Sequence, residues 1–267
     1  MEQLIQAIIL GIIEGLTEFL PVSSTGHLIL AGEGLGFVGE SAKTFKIVIQ
    51  LGAVLAVLVL YWPKFVSLAR DMLAWRFNQR GKLDAIHIAL ALLPAVLLGF
   101  LLHGLIKQHL FGPEPVLYSL VAGGVLMIIA ERIKRPVTAA EMDDLSYRQA
   151  LGIGCFQCLA LWPGFSRSGS TISGGLLLGA SQKATAEFTF IISVPIMLGA
   201  SALDLYESRD VLVAADAPIF LIGLATSFIV AMLAVVTFIN LIKRLRLTWF
   251  ALYRFLLAAV FYFWVIA

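Results

Sequence analysis

The chain has 267 residues, 60% of them hydrophobic and 13% charged, with a mean hydropathy of +0.95. Soluble domains carry about 25% charge, so a soluble enzyme and a nucleic-acid-binding module are both excluded and a polytopic membrane protein is expected. The net charge of +2 points to no soluble partner, and Glu2 stands where a cleaved leader would carry basic residues.

Residues 3–36 are apolar but interrupted by Glu14-Gly-Leu-Thr-Glu18-Phe-Leu-Pro21-Val-Ser23-Ser24-Thr25-Gly26-His27. Pro21 stops a helix, and each flank is shorter than the roughly 20 residues that cross a bilayer. The pattern predicts a re-entrant hairpin: half-helix, polar loop, half-helix. Spanning helices are expected near 44–62, 85–103 and 116–131. A basic loop lies between the first two (63–83, with Lys64, Arg70, Arg76, Arg80 and Lys82), whereas 104–115 has only Lys107. A basic segment at 132–148 (Arg132, Lys134, Arg135, Arg148) leads to a second interrupted stretch, 148–181. This one is broken by Pro163-Gly164-Phe165-Ser166-Arg167-Ser168-Gly169-Ser170-Thr171. Cys155 and Cys158 within it read as small packing residues. Three more spans are expected near 186–206, 218–242 and 248–266, with Arg209 alone in 207–217 and Lys243, Arg244 and Arg246 in 243–247.

A shift of 143 residues aligns the two interrupted stretches without gaps. It pairs Gln6-Ala7 with Gln149-Ala150, Gly11 with Gly154, Ser23 with Ser166, and Gly26 with Gly169; Glu14 falls opposite Gln157. Each unit is then one hairpin plus three spanning helices, and three is odd, so the second unit enters the membrane inverted. The expected architecture is all-α, with six spanning helices and two re-entrant hairpins. Residues 1–131 form the first repeat, 132–147 a cytoplasmic linker, and 148–267 the second repeat. The positive-inside rule puts the three basic segments in the cytoplasm and both termini outside.

Ionisable residues at membrane depth are functional candidates by default. Glu14 and Glu18 share one helical face, an arrangement suited to a divalent cation such as Mg²⁺ or Ca²⁺, or to a general base. Ser24 and His27, three apart, fit a hydroxyl nucleophile activated by imidazole. Arg167 supplies a permanent charge that matches phosphate oxygens bidentately, and it is also suited to pairing with Glu18. The two hairpins are expected to converge on one intramembrane phosphate site.

These motifs resemble the undecaprenyl-diphosphate phosphatase (bacitracin-resistance) family, and the similarity extends over essentially the whole chain. It rests on Glu14-x-x-x-Glu18 leading into Pro21-Val-Ser-Ser-Thr-Gly-His27, and on Pro163-Gly-Phe-Ser-Arg-Ser-Gly169 preceded by Phe156-Gln-Cys-Leu-Ala-Leu-Trp162. The resemblance implies hydrolysis of the C55 prenyl diphosphate in the bacterial inner membrane, recycling of the peptidoglycan carrier lipid, and bacitracin resistance. It carries the motif roles onto Glu14, Glu18, Ser23, Ser24, His27, Ser166, Arg167 and Thr171. The expected reacting residues are Ser24, His27, Glu18, Glu14 and Arg167, with Ser23, Thr25, Ser166, Ser168 and Thr171 binding substrate. Ser24 or His27 is the attacking atom's residue. No organic cofactor is expected; the partners are the prenyl diphosphate and membrane lipids, with a homodimer left open. A transporter or flippase for a phosphate-bearing lipid is the alternative reading.

Overall fold

The computed structural model describes all residues except 1, 80, 111, 208–216 and 243, so Arg80, Arg209 and Lys243 of the charge pattern lie outside the described residues. The chain is helical, with twelve α-helices among the described residues. The first half holds α1 (Glu2–Thr17), α2 (Ser24–Leu35), α3 (Glu40–Leu60), α4 (Trp62–Leu73), α5 (Ala85–Leu101), α6 (His103–His109) and α7 (Pro113–Arg132). The second holds α8 (Tyr147–Gln157), α9 (Arg167–Leu177), α10 (Gln182–Glu207), α11 (Ala217–Ile242) and α12 (Leu247–Phe261).

Among the described residues, five helices are long and apolar enough to span a bilayer: Ala42–Leu60, Pro113–Arg132, Gln182–Tyr206, Ala217–Ile242 and Leu247–Ile266. The span expected at 85–103 is shorter. Its helix has 17 residues, about 25 Å at 1.5 Å per residue, and it breaks at Leu102 before α6. The expected loop at 63–83 is half helix: Pro63 sits in the first turn of α4, where a missing N–H costs nothing. Leu68 and Asp71 of α4 are buried.

Helices change partners between the halves. α1 lies on α11, whereas α8 lies on α5. The first contact depends on Gly11 and Gly15. A Cβ at Gly11 would come within 2.8 Å of the Gly223 carbonyl, and one at Gly15 within 2.7 Å of the Ser227 carbonyl. At Gly154, the position matching Gly11, a Cβ would come within 2.8 Å of Ala91 Cα. α3 packs on α10 and α11, and α7 on α9 and α12. Phe19, Met127, Ile172, Phe190 and Phe238 meet in the central apolar cluster.

One end of the bundle gathers the basic segments. Lys64 pairs with Asp143, whose carboxylate also accepts from the Leu83 amide at 2.8 Å. Thr248 N–H donates to Glu131 at 2.8 Å, and Gln182 Nε2 to the Leu245 carbonyl at 3.2 Å. The linker is not a free tether: Thr138 and Ser181 exchange backbone hydrogen bonds with Gly179 and Ala139, and Ala139 and Met142 are buried.

Candidate active site

Both interrupted stretches use the same backbone device. α1 ends at Thr17, and the chain turns through Leu20-Pro21-Val22 before Ser23 caps α2. Ser23 has φ 71° and ψ 93°, and its hydroxyl accepts from the Gly26 amide at 3.3 Å. In the second stretch a short 3₁₀ turn, Cys158–Leu161, leads into Ser166, which caps α9 with φ 73° and ψ 115° and accepts from the Gly169 amide at 3.1 Å. Positive φ at a residue other than glycine is sparsely populated and costs about 1–3 kcal/mol. Two serines held there mark loops whose direction matters more than their local stability.

The loops meet through Glu18. Its Oε2 accepts from Ser24 Oγ at 2.6 Å, and its Oε1 accepts from Arg167 Nη2 at 3.0 Å. Both side chains of the ion pair are shielded, Glu18 being 7% and Arg167 13% exposed. Ser168 Oγ adds a second tie by donating to the Leu20 carbonyl at 2.9 Å. Arg167 also reaches the Thr189 carbonyl at 3.5 Å and Met197 Sδ at 3.0 Å. Glu14, one turn before Glu18, is 1% exposed, and neither of its carboxylate oxygens has a hydrogen-bond partner among the described residues. A buried carboxylate with free lone pairs is costly and calls for a proton or a cation. By helix geometry the first amides of α2 and α9 have no intrahelical acceptor, which makes both helix starts anion-binding ends.

A family model described as "Bacitracin resistance protein BacA" matches residues 7–260. The chain belongs to the BacA family. It is therefore an undecaprenyl-diphosphate phosphatase of the membrane, and it confers bacitracin resistance.

The BacA fold brings Glu14, Glu18, Ser23, Ser24, Ser166, Arg167 and Ser168 to one junction. The pairing expected from the three-residue spacing of Ser24 and His27 does not form; among the described residues no hydrogen bond joins them. Ser24 opens α2, and the tight turn aims its hydroxyl back at Glu18. His27 instead points its Nδ1 at the Ser23 carbonyl (2.7 Å) and its Nε2 at the Tyr253 hydroxyl (2.7 Å). Thr25 is exposed. Thr171 is fully buried: its hydroxyl donates to the Arg167 carbonyl at 2.8 Å and accepts from Thr189 at 2.8 Å. Ser166 and Ser168 hydroxyls lie 3.1 Å apart.

Two further residues belong to this neighbourhood and were not expected from the motifs. Tyr253 bonds His27, and its neighbour Arg254 is 0% exposed and bonds the carbonyls of Gly164 and Phe165. The sequence signal was an arginine inside an otherwise apolar span, the kind of residue that intramembrane electrostatics flags by itself.

Proposed function

We propose that the BacA-family reaction takes place where the α1–α2 and α8–α9 hairpins meet, each hairpin re-entrant and each belonging to one of two inverted halves. The α5–α6 segment would provide the sixth crossing. The observation that carries the reading is the shared carboxylate of Glu18, which holds Ser24 on one oxygen and Arg167 on the other.

The terminal phosphate of the lipid competes with Glu18 for Arg167, whose planar fork suits phosphate as well as carboxylate. As Arg167 transfers to the phosphate, Glu18 loses its cation and becomes a better base for the proton already hydrogen-bonded to it. Ser24 Oγ then attacks phosphorus, its proton passes to Glu18, and the phosphoanhydride bond breaks to release the prenyl monophosphate. Water then attacks the phosphoserine, and Glu18 returns its proton to Ser24 Oγ as the P–O bond breaks and inorganic phosphate leaves. The Ser23 carbonyl can only accept, so His27 Nδ1 carries the proton; Nε2, which accepts from the Tyr253 hydroxyl, would take that water's proton once Tyr253 yields its place to it. Arg167, the Ser166 and Ser168 hydroxyls and the two helix starts stabilise charge on the transferring group. The prenyl tail lies in a lipid-facing groove between helices.

The site also suits Mg²⁺. Among the described residues no cluster of three or more His, Cys, Asp or Glu side chains is present, so Glu14 and Glu18 would supply at most two carboxylates. Mg²⁺ characteristically takes one or two carboxylates and completes its shell with substrate phosphates and water. The unpartnered oxygens of Glu14 fit that role, and the ion would neutralise diphosphate charge.

The gathering of Lys64, Lys82, Arg148 and Arg246 around one end of the bundle supports a cytoplasmic assignment for that end and an external one for both termini. The lipid headgroup would then be processed on the external face. Phosphate release from a long-chain prenyl diphosphate by purified protein, followed by acid trapping of the phosphoenzyme, tests the reading. The label is expected on Ser24; a label on His27, or full activity in Ser24→Ala, overturns it.

A further inference from the structure

α12 contributes nothing to either polar loop by sequence, yet it touches both. Adjacent residues on a helix point about 100° apart, and at Tyr253 and Arg254 that divergence spans the junction between the loops. Tyr253 reaches the first one: its hydroxyl lies 2.7 Å from His27 Nε2. Its ring runs nearly parallel to the imidazole, 9° between planes with centroids 5.6 Å apart. Because Nδ1 is committed to the Ser23 carbonyl, the Tyr253 O–H donates to the Nε2 lone pair, and both ring nitrogens are fixed.

Arg254 reaches the second loop. Its Nη1 donates to the Phe165 carbonyl at 2.8 Å, and its Nη2 to the Gly164 carbonyl at 3.0 Å. Nη2 and Nε hold the Ser119 and Leu120 carbonyls of α7 at 3.0 and 3.1 Å. The Ser119 hydroxyl lies 2.5 Å from the preceding carbonyl, that of Pro163. Three successive carbonyls of the turn are therefore pinned, and the peptide planes that launch α9 are set with them. In a trans peptide the N–H points opposite to its C=O, so the Ser166 amide is directed away from the guanidinium. None of these four Arg254 bonds goes to a carboxylate. A wholly buried guanidinium held, among the described residues, by backbone oxygens alone is expensive in a membrane, and an apolar side chain would fill the space without that cost. The neighbouring backbone is shaped to admit it: a Cβ at Gly123 would sit against the guanidinium and 2.6 Å from the Phe165 carbonyl. At Gly164, φ is 92° and a Cβ would come within 2.9 Å of the Val116 carbonyl.

We infer that α12 is the brace that sets the two loops relative to each other, with Tyr253 positioning His27 and Arg254 positioning the Pro163–Phe165 turn from which Arg167 is presented. The inference rests on the reading of this junction as the reacting site. Neither residue touches Glu18 or Ser24 by hydrogen bond, so both act through the loops they hold.

The test compares Tyr253→Phe and Arg254→Lys with Ser24→Ala and Arg167→Ala in phosphate release from a prenyl diphosphate. Tyr253→Phe keeps the ring and removes one oxygen. It is expected to lower kcat about tenfold, the fold-change of one neutral hydrogen bond, with KM unchanged. Carbethoxylation of His27 by diethyl pyrocarbonate, mapped by mass spectrometry, is expected to rise because Nε2 loses its cover. Arg254→Lys keeps charge without the fork and is expected to lose about 10²-fold in kcat, the scale of a misplacement near 1 Å. The double variant is expected to lose less than the product of the two. Wild-type kcat and unchanged His27 reactivity in Tyr253→Phe, with Ser24→Ala and Arg167→Ala inactive, overturns the brace alone. Activity retained in Ser24→Ala and Arg167→Ala overturns the site reading and the brace with it. Should Arg254→Lys fail to accumulate in the membrane, Tyr253→Phe decides the question by itself.

Discussion

The turn before α2 and the turn before α9 share a backbone and differ in chemistry. Ser23 and Ser166 adopt φ values of 71° and 73°, and each caps the glycine three residues on. The next position along is Ser24 in one turn and Arg167 in the other, equivalent under the 143-residue shift. Both side chains end on Glu18, one on each oxygen. A common scaffold thus delivers a hydroxyl and a guanidinium to opposite sides of one carboxylate. The lesson is that backbone geometry is held fixed while the side chains differ, a hydroxyl in one turn and a guanidinium in the other, which the proposed reaction divides between attack and charge stabilisation.

That division can be broken first at Arg167. Arg167→Ala is expected to lower kcat by about 10³-fold, the scale of removing a preorganised charge donor. Arg167→Lys should recover only part of it, because an ammonium lacks the fork; phosphate release checks both. Glu18→Gln keeps the shape and removes the proposed base, and a loss of about 10²-fold or more is expected in the same assay. Gly123→Ala tests the support beneath the second turn: crowding the guanidinium and the Phe165 carbonyl should destabilise the detergent-solubilised protein by about 1–3 kcal/mol, measured by thermal unfolding. The matched pair Glu14 and Gln157 sharpens the asymmetry. Gln157 is 2% exposed and its Nε2 donates to the Ala91 carbonyl at 3.1 Å. Gln157→Glu removes that donor and should cost about 1–3 kcal/mol in the same unfolding measurement, while Glu14→Gln should leave stability intact and alter the response of activity to Mg²⁺ and chelator. The smallest effect is expected at Ser23. Ser23→Gly relieves about 1–3 kcal/mol of positive-φ strain but forfeits a few tenths of a kcal/mol from the cap and about 0.4–1 kcal/mol through the freer unfolded chain, so the unfolding midpoint should move only slightly, and upward.

Much of this arrangement was legible in the chain. Prolines inside apolar stretches placed the breaks between α1 and α2 and between α8 and α9, and the cost of burying charge singled out Glu14, Glu18, His27 and Arg167. The possible pairing of Arg167 with Glu18 followed from charge alone. What spacing could not supply was direction. Ser24 and His27 are spaced as neighbours on one helix face, but the serine bonds Glu18 and the imidazole bonds the Ser23 carbonyl and Tyr253. A contact between His27 and a residue 226 positions later leaves no trace in a single sequence. Arg254 did leave one, as a lone cation in an apolar run, though its partners are carbonyls and carry no side-chain signature. The α4 helix was obscured for another reason: its basic residues read as a loop, while Leu68 and Asp71 on its inner face are buried.

The exchange of partners between halves has a consequence for biogenesis. α1 rests on α11, so a helix made early waits for a face that is synthesised some two hundred residues later. Until then the Gly11 and Gly15 surface has no mate. A chain truncated before α11 would therefore leave the close-packing glycine face of its first helix uncovered.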